Sequence, residues 1–399
     1  MKVSTENSRT PTIKTARIRS ARTSDDLVDL AVQLHEQALE QAEKGNLRRA
    51  IILSRHAFRF IELGAGEDSP DVANVGNSLS RLYQDVGRYP DAERLARNCV
   101  SVIEKHSSDP DATIQTIRAQ SFDGLGTTLR LQARYEEAEK CHCRAVEIVE
   151  TAFGLEDISL AGYLNNLAVV YKFWGKFDEA EALYWRAMAI TLQHLGTEAV
   201  ELASIYHNLG GLEHSRGNYA RGEPYGRRAV EIRRRALGTN HRDTAADMAA
   251  LAGLLDAQGK VDEAEELYRQ ALSVFETLLG QDHYEVAVSL NNLAAIHFAR
   301  GNSMLAEAFY WWALHNKEKT LGPDHPDVAM TLNNMAVMFL AQNKLADAEE
   351  MYKRALNTFR RALDPAHPHI SICAENYAEL LRDRGRDSEA DALLASIHP

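Results

Sequence analysis

A 42-residue period governs this chain. Its phase is set by a turn residue, usually glycine, that recurs at Gly45, Gly87, Ala133, Gly175, Gly217, Gly259, Gly301, Asn343 and Gly385. Seven of the eight intervals are 42 residues, and the interval from Gly87 to Ala133 is 46, which predicts one extra helical turn or a longer loop there. Such a period is the signature of a stacked-repeat solenoid. We therefore expect one elongated domain rather than several globular ones.

Each repeat is predicted to be a pair of helices. In the fourth repeat Leu164, Leu167 and Tyr171 fall on one helical stripe, and Ala180 and Tyr184 start a second stripe beyond the turn. Glycine suits the left-handed conformation that ends a helix. The unit is thus an antiparallel helical hairpin, and the fold class is all-α, a right-handed superhelical solenoid of about nine hairpins.

A small residue stands five places after each turn residue. These positions are Ala50, Ala92, Ala138, Ala180, Gly222, Ala264, Ala306, Ala348 and Ala390. A side chain no larger than methyl lets the two helices approach closely, so leucine there should overpack the hairpin by about 1–3 kcal/mol.

Three segments that join successive repeats share a pattern. They are Asn240-His241-Arg242-Asp243, Asp282-His283-Tyr284-Glu285 and Asp324-His325-Pro326-Asp327. Each places an N-cap residue type three positions before an acid, so a capping box with Asn240, Asp282 or Asp324 as the N-cap is expected. The histidines at positions 241, 283, 325 and 367 lie one repeat apart, which predicts a structural role between repeats rather than a metal cluster.

Composition excludes several classes of function. The formal net charge is −12, whereas nucleic-acid binders need positive charge to neutralise phosphates. Four cysteines without regular spacing indicate a reducing compartment. No apolar run is long enough to span a membrane, and no secretory signal is visible. We expect a cytoplasmic protein with no nucleic-acid or membrane partner, while its oligomeric state stays open.

The first 28 residues form a separate segment, basic and rich in Ser and Thr. They carry six Lys and Arg in residues 1–24 against one acid, Glu6, with few large apolar side chains, so a disordered tail is predicted. An organelle transit peptide and a basic arm for an anionic partner remain alternatives. Residues 29–399 form the solenoid, with repeats at about 29–68, 70–108, 112–154, 157–197, 199–239, 241–281, 283–323, 325–365 and 367–397.

Several repeated motifs carry a family resemblance. The motifs are Leu-Asn-Asn-Leu-Ala from Leu164, Gly-Lys-Phe-Asp-Glu-Ala-Glu from Gly175, Tyr-Lys-Arg-Ala-Leu from Tyr352 and Leu-Gly-Pro-Asp-His-Pro-Asp-Val-Ala from Leu321. They resemble the 42-residue tetratricopeptide repeats of kinesin light chains and their bacterial relatives, over residues 29–397. Those proteins carry a long coiled coil before the repeats. Only about 28 residues stand there in this sequence, so we expect the chain to resemble the cargo-binding half and not to be a motor subunit.

No catalytic signature survives inspection. The sequence lacks a phosphate-binding P-loop, a dinucleotide-binding glycine motif, a Gly-x-Ser-x-Gly elbow and a His-Glu-x-x-His motif. Cys141 and Cys143 flank His142, but residues two apart on a helix point in different directions, so the two thiols cannot share one ion. We predict no catalytic, cofactor-binding or metal-binding residue, and no enzyme activity.

The resemblance places the candidate site in the groove lined by the first helices. In such proteins paired Asn side chains project into the groove, where an amide can both donate to and accept from a peptide backbone. The matching positions are Asn77, Asn165, Asn166, His207, Asn208, Asn291, Asn292, Asn333, Asn334 and Asn376. An alternative is that these side chains only tie neighbouring hairpins together. Ala249 and Ala250 break the pattern, and the groove should change character there.

Further groove-facing slots lie six and three residues before the turn. Arg81, Arg130 and Lys172 occupy them in repeats two to four, His214 and Asp256 follow, and Glu379 and Arg382 come last. The N-terminal half of the groove is therefore predicted to be basic and the later half mixed. An extended peptide with acidic residues would match it.

Two other clusters leave alternatives open. Trp311 and Trp312 are adjacent and cannot both be buried on the hairpin stripe, so one packs on the next repeat or the pair forms an exposed contact patch. Five arginines, at positions 227, 228, 233, 234 and 235, form either a solvated helix face or a site for an acidic partner.

The predicted function is a non-enzymatic scaffold for protein–protein interaction that binds an extended, acidic peptide segment of a partner protein in its concave groove. Two alternatives come from other classes. The repeats could bind a small molecule or catalyse a reaction in the groove, or they could regulate a partner enzyme or transcription factor.

Overall fold

The computed structural model describes residues 23–363, 365 and 367–397. Within them the chain forms helices and no strand, as predicted. The helices are α1 Ser24–Glu43, α2 Leu47–Ala65, α3 Pro70–Asp85, α4 Tyr89–Glu104, α5 Ala112–Leu131, α6 Tyr135–Phe153, α7 Ile158–Trp174, α8 Phe177–Leu195, α9 Val200–Ser215, α10 Tyr219–Leu237, α11 Arg242–Asp256, α12 Val261–Leu279, α13 Tyr284–Ala299, α14 Ser303–Leu321, α15 Pro326–Ala341, α16 Leu345–Ala362, α17 Pro368–Asp383 and α18 Asp387–Ala395. Successive pairs form hairpins 1 to 9, so hairpin 1 is α1 and α2.

The first helix begins earlier than predicted. Helix α1 starts at Ser24, and Thr23 caps it in a capping box with Asp26. Two reciprocal bonds from side chain to backbone satisfy N–H groups that the helix itself leaves unpaired. The prediction of a disordered tail is therefore wrong for residues 24–28, and its remainder, residues 1–22, lies outside the described residues.

The turn residues adopt the left-handed conformation that their spacing implied. Ala133 and Asn343, which replace glycine at two turns, have φ of 60° and 59°, close to the 80° of Gly175. The interval of 46 residues reflects a longer helix, since α5 has 20 residues where α3 has 16. The chain thus absorbs the four extra residues as one helical turn.

Small residues bring the two helices of each hairpin together. The alanines five places after the turn residues are fully buried. Large side chains such as Tyr184 and Tyr352 fill the space beside them and are also buried. The core therefore follows the solenoid as a series of clusters, each shared by neighbouring hairpins.

Histidines cap the first helices of four hairpins. The Nδ1 atom of His325 accepts a hydrogen bond from the backbone N–H of Asp327 at 3.0 Å. The Nδ1 atoms of His241, His283 and His367 likewise accept from the backbone N–H of the residue two places later in the chain. The predicted capping boxes at Asn240, Asp282 and Asp324 are wrong, because the imidazole itself reaches the free N–H. The structural role of these histidines between repeats is confirmed.

The solenoid curves far enough to contact itself. The hydroxyl of Tyr89 in hairpin 2 lies 3.3 Å from Nε2 of His325, where hairpin 8 begins. Gly45 in the turn of hairpin 1 lies beside His283, where hairpin 7 begins, so closely that an added methyl would be 3.1 Å from that ring. Each contact spans six hairpins. One turn of the superhelix therefore rests on the next at these two places.

Candidate functional site

The first helices form the inner face of the curve. Successive first helices, such as α3 and α5 or α9 and α11, contact one another, while successive second helices lie farther apart. A stack bends toward the side on which its units approach more closely, so the first helices line the concave surface. This places the predicted groove positions on that surface.

The paired Asn positions form two regular sets of bonds between hairpins. The residue ten places before a turn bonds forward to the next hairpin: Asn77 to Ser121 at 2.8 Å, His207 to Asp247 at 2.9 Å and Asn291 to Thr331 at 3.2 Å. The residue nine places before a turn donates back to the previous hairpin: Asn166 to Asp123 at 2.9 Å, Asn208 to Asn165 at 2.8 Å and Asn376 to Asn333 at 3.5 Å. Many of these amides therefore serve to tie neighbouring hairpins together.

Two asparagines escape this pattern. Asn334 makes no hydrogen bond to another described residue, and the Nδ2 of Asn292 donates to none, although its Oδ1 receives a long 3.5 Å contact from Asn291. The reason for Asn292 is that Ala249 stands where its partner in hairpin 6 would be. These half-buried amides keep donors and acceptors for a ligand.

Arg130 and Lys172 lie together on the concave surface. Both approach the ring of Phe173, the guanidinium carbon at 5.2 Å and the ammonium at 4.9 Å from its centre. Neither cation forms an ion pair with a described residue. Burial lowers the pKa of Arg130, and burial together with the Arg130 charge lowers the pKa of Lys172 to about 8. An unpaired, partly desolvated pair of cations favours an anion.

Two other predicted cations lie near this site or at the start of the groove. His214 lies on α9 at the groove surface, where its ring packs edge-on against Tyr219. Partial desolvation of the ring, together with the Lys172 charge, lowers the pKa of His214. Arg81 is exposed on α3 and acts on His35 and Asp85 through its charge, without an ion pair. His214 thus extends the cationic region of Lys172, while Arg81 belongs to hairpin 2.

A cavity of about 240 Å³ opens where the Asn pattern fails. Its floor is made of small residues on α9 and α11: Gly210, Gly211, Ala249, Ala250 and Gly253. Lys172, His207, His214 and Asp247 bring polar groups to its wall. The expected change of groove character at Ala249 and Ala250 takes the form of a recess deep enough for a side chain.

A buried carboxylate organises one wall of this cavity. Asp247 is 2% exposed, and its two oxygens bind different partners, Nδ1 of His207 at 2.9 Å and Nε of Arg233 at 2.6 Å. The second nitrogen of the His207 ring is left for the groove. An imidazole fixed in this way offers its second nitrogen for a hydrogen bond with a ligand.

The C-terminal part of the groove differs in character. Met330, Val337 and Ile372 occupy first-helix positions and are 39%, 39% and 49% exposed. Val337 lies six places before its turn, the slot that Arg81 fills in hairpin 2. Arg382, three places before the last turn, is neutralised by Asp391 at 3.0 Å. The groove therefore runs from a cationic region to a largely apolar one.

Sequence reasoning missed three residues of the candidate site. Asp123 stands in the Asn slot of hairpin 3 and its carboxylate holds both Asn166 and His142. Asp247 lies two places before its own hairpin's Asn slot, and Phe173 one place after Lys172. The in-phase position could have revealed Asp123, whereas nothing periodic marks Phe173.

The arginine run and the Cys-His-Cys cluster have structural roles, whereas the tryptophan pair is exposed. Arg227, Arg228, Arg233 and Arg235 of the arginine run pair with carboxylates of their own or neighbouring hairpins, which supports the solvated-face interpretation. His142 is buried against Asp123, and the described residues contain no group of three side chains arranged to hold a metal ion. Trp311 and Trp312 are both partly exposed, 45% and 39%.

Comparison with known proteins establishes the family. A family model described as tetratricopeptide repeat matches residues 115–193, 201–277, 251–319, 285–361 and 327–397, and a second model with the same description matches residues 72–111. The chain therefore belongs to the tetratricopeptide repeat family. This fold is a repeat scaffold typical of protein–protein interaction. No curated protein matched the sequence.

Solved structures with this fold include several remote relatives. The chain is similar to a putative kinesin light chain from Podosopora anserina, with 23% identity over 50% of this chain and 93% of that chain and a TM-score of 0.42. It is also similar to the apo form of RapI, with 16% identity over 72% of this chain and 98% of that chain and a TM-score of 0.52. A Rap protein complexed with Competence and Sporulation Factor is 14% identical over 92% of this chain and 99% of that chain, with a TM-score of 0.51.

No helix among the described residues could cross a membrane.

Proposed function

We propose that the chain is a non-enzymatic scaffold that binds an extended, acidic peptide segment of a partner protein in its concave groove. The observation that carries the proposal is the unpaired cation pair of Arg130 and Lys172 beside Phe173. A carboxylate placed between them would relieve their mutual repulsion and receive charge-assisted hydrogen bonds, each worth about 1.5–3 kcal/mol.

The remaining groove supports an extended ligand. The unengaged amides of Asn292 and Asn334 can bond to a peptide backbone, and the exposed Met330 and Val337 offer apolar contacts further along. A ligand with acidic residues at one end and apolar residues at the other would match this order. One of the solved relatives was crystallised with a factor bound, which is consistent with a ligand in such a groove.

The test is a fluorescence-anisotropy titration with two labelled peptides of equal length, one containing Glu and the other Gln at alternate positions. We expect the Glu peptide to bind more tightly, and Arg130→Glu or Lys172→Glu to reduce its affinity about 10- to 100-fold and to flatten its salt dependence. Arg382→Glu is the matched control, because Arg382 holds the equivalent position in hairpin 9 but is already paired with Asp391. Equal affinity of both peptides, or an unchanged affinity in the variants, contradicts the acidic ligand.

A second candidate is that the cavity at Ala249 and Ala250 binds a small anionic molecule. Lys172 and His214 meet there with His207, which Asp247 holds in place. Thermal unfolding with and without succinate or citrate tests this. A rise in Tm that Ala250→Leu abolishes while the Glu peptide still binds would favour the small molecule, and no rise would contradict it.

A further inference from the structure

Helix α14 carries an apolar stripe on its outward face. Met304, Leu305, Ala308, Trp311 and Trp312 all lie there and are exposed. Met304 is 88% exposed, and none of these five side chains is charged. Farther along the same face His315 and Lys319 are exposed, and Lys319 pairs with Asp282. Continuous apolar patches of this kind are uncommon on soluble proteins and usually mark interaction sites.

The equivalent positions in the other hairpins can be compared with this stripe. Seven other hairpins carry at least one polar side chain in the two positions that Trp311 and Trp312 occupy, namely Arg55–His56, Arg97–Asn98, Cys143–Arg144, Trp185–Arg186, Arg227–Arg228, Arg269–Gln270 and Lys353–Arg354. In hairpins 2, 5, 6 and 8 the first of the two is a cation that pairs with a glutamate four residues earlier. Hairpin 7 lacks that cation, and its glutamate, Glu307, pairs with Lys344 instead.

The start of α14 departs in the same way. Met304 and Leu305 stand where hairpins 1, 3, 4 and 6 carry two charged residues: Arg48–Arg49, Glu136–Glu137, Asp178–Glu179 and Asp262–Glu263. The other hairpins fold with polar or charged side chains at most of these positions, so packing within the solenoid does not require four apolar side chains here. The stripe of hairpin 7 is therefore available for an interface.

The neighbouring helix α16 carries opposite charges at its two ends. In the same outward register Asp347 and Glu350 are exposed near its beginning, and Arg360 and Arg361 near its end. Lys353 between them pairs with Glu349 of its own helix, and Arg361 also pairs with Asp324. A second copy of α16 running in the opposite direction would place its arginines against these carboxylates. The pattern is self-complementary, as a two-fold interface requires.

The other neighbour, α12, fixes the relative direction of the two copies. Its outward beginning is acidic, with Asp262, Glu263 and Glu266. A parallel arrangement would set these acids against Asp347 and Glu350 of the second copy. The antiparallel arrangement sets them instead against the end of the second α12, where the outward side chains Ser273 and Thr277 are uncharged.

We propose that the outward face of α14 binds a second copy of this chain, with the two α14 helices antiparallel about a two-fold axis. The tryptophans form the apolar centre, and the charges of α16 form a polar rim, which is the usual anatomy of a specific interface. This surface lies on the opposite side of the hairpin from the groove. Dimer formation is thus independent of peptide binding.

Sedimentation velocity on the full chain from about 1 to 100 μM tests the proposal, with far-UV circular dichroism to verify folding. We expect the wild type to reach twice its 44.5 kDa mass within this range. The double variant Trp311→Arg, Trp312→Gln introduces the pair that hairpin 6 already carries, and it should weaken the dimer about 100-fold or more while retaining helicity. The control Trp185→Arg changes the equivalent tryptophan of hairpin 4 and should leave the dimer intact.

A charge exchange tests the arrangement. Glu350→Arg should weaken the dimer, and adding Arg360→Glu and Arg361→Glu should restore it. A wild type that remains a monomer at about 100 μM overturns the proposal, as does a dimer that survives the double tryptophan variant. Failure of the charge exchange to restore the dimer overturns the antiparallel arrangement.

Discussion

The groove has two regions built on one repeated hairpin. In hairpins 3 to 5 it presents Arg130, Lys172 and His214 among side chains that bond from hairpin to hairpin, whereas in hairpins 8 and 9 it presents Met330, Val337 and Ile372. The scaffold beneath is the same, since the buried small residues recur in both. The comparison teaches that packing fixes the hairpin and leaves the groove positions free to diverge.

The largest expected effect concerns the polar region. Asp247→Ala removes the carboxylate that binds both Arg233 and His207. The mostly buried Arg233 guanidinium then keeps the Ser204 hydroxyl and, as its one remaining carboxylate among the described residues, the more distant Asp243. We expect the free energy of unfolding in urea to fall by about 3–5 kcal/mol, because a buried charge loses its partner. Met330→Ala in the apolar region should change it by less than about 0.5 kcal/mol. Similar decreases in the free energy of unfolding for Asp247→Ala and Met330→Ala would contradict the proposed difference between the two regions.

The next prediction tests whether the two regions share one scaffold. Ala180→Leu under the cationic region and Ala348→Leu under the apolar region both insert a branched side chain at a fully buried position. Each should destabilise the protein by about 1–3 kcal/mol, measured by urea unfolding followed by circular dichroism. A large cost at one site and none at the other would mean that the hairpins pack differently in the two regions.

A third prediction concerns the contacts that hold successive superhelical turns together. Burial, with the Arg242 charge, lowers the pKa of His283 to about 4, while the unfolded chain has a histidine pKa near 6.5. Between these values the unfolded state binds the proton more readily, so stability should fall as the pH drops from 6.5 to about 4. Solvent screening limits the loss to about 1–2 kcal/mol. His283→Asn keeps a cap acceptor and should reduce this pH dependence, measured by thermal unfolding.

A fourth prediction uses the pKa of Lys172, about 8. If Lys172 binds a carboxylate, affinity for the Glu peptide should fall as the pH rises from 7 to 9, by about tenfold, because the ammonium loses its charge. Lys172→Arg should bind equally well at both pH values, since arginine stays charged. A wild-type affinity that does not change with pH would remove Lys172 from the proposed site.

The smallest effect separates two asparagines of the same repeat position. Asn166 donates to Asp123, while Asn334 bonds to no described residue. Asn166→Ala should lower the free energy of unfolding by about 1 kcal/mol. Asn334→Ala should change it by less than about 0.5 kcal/mol and instead weaken peptide binding. A larger loss of stability in Asn334→Ala than in Asn166→Ala would contradict this assignment of roles.

Sequence reasoning predicted the candidate site only in part. It found Arg130 and Lys172 because their slots follow from the period, but it could not place them beside the same ring. It found the Asn positions but did not decide whether they bind a peptide or tie neighbouring hairpins together. Their bonds depend on which residue the adjacent hairpin offers, as the pair of Asn292 and Ala249 illustrates. The histidine caps were also missed, because a side chain's reach to an N–H is a matter of local geometry.

The sequence by itself determined the hairpin and its number of copies, since period, small residues and turn residues are local and repeat in every unit. Only the tertiary structure decided which groove amides are already bonded, that the groove deepens into a cavity at Ala249 and Ala250, and that Tyr89 meets His325 six hairpins later. These features depend on contacts between hairpins and between superhelical turns. A periodic sequence specifies the unit, whereas small rotations added over many units decide what meets across the groove.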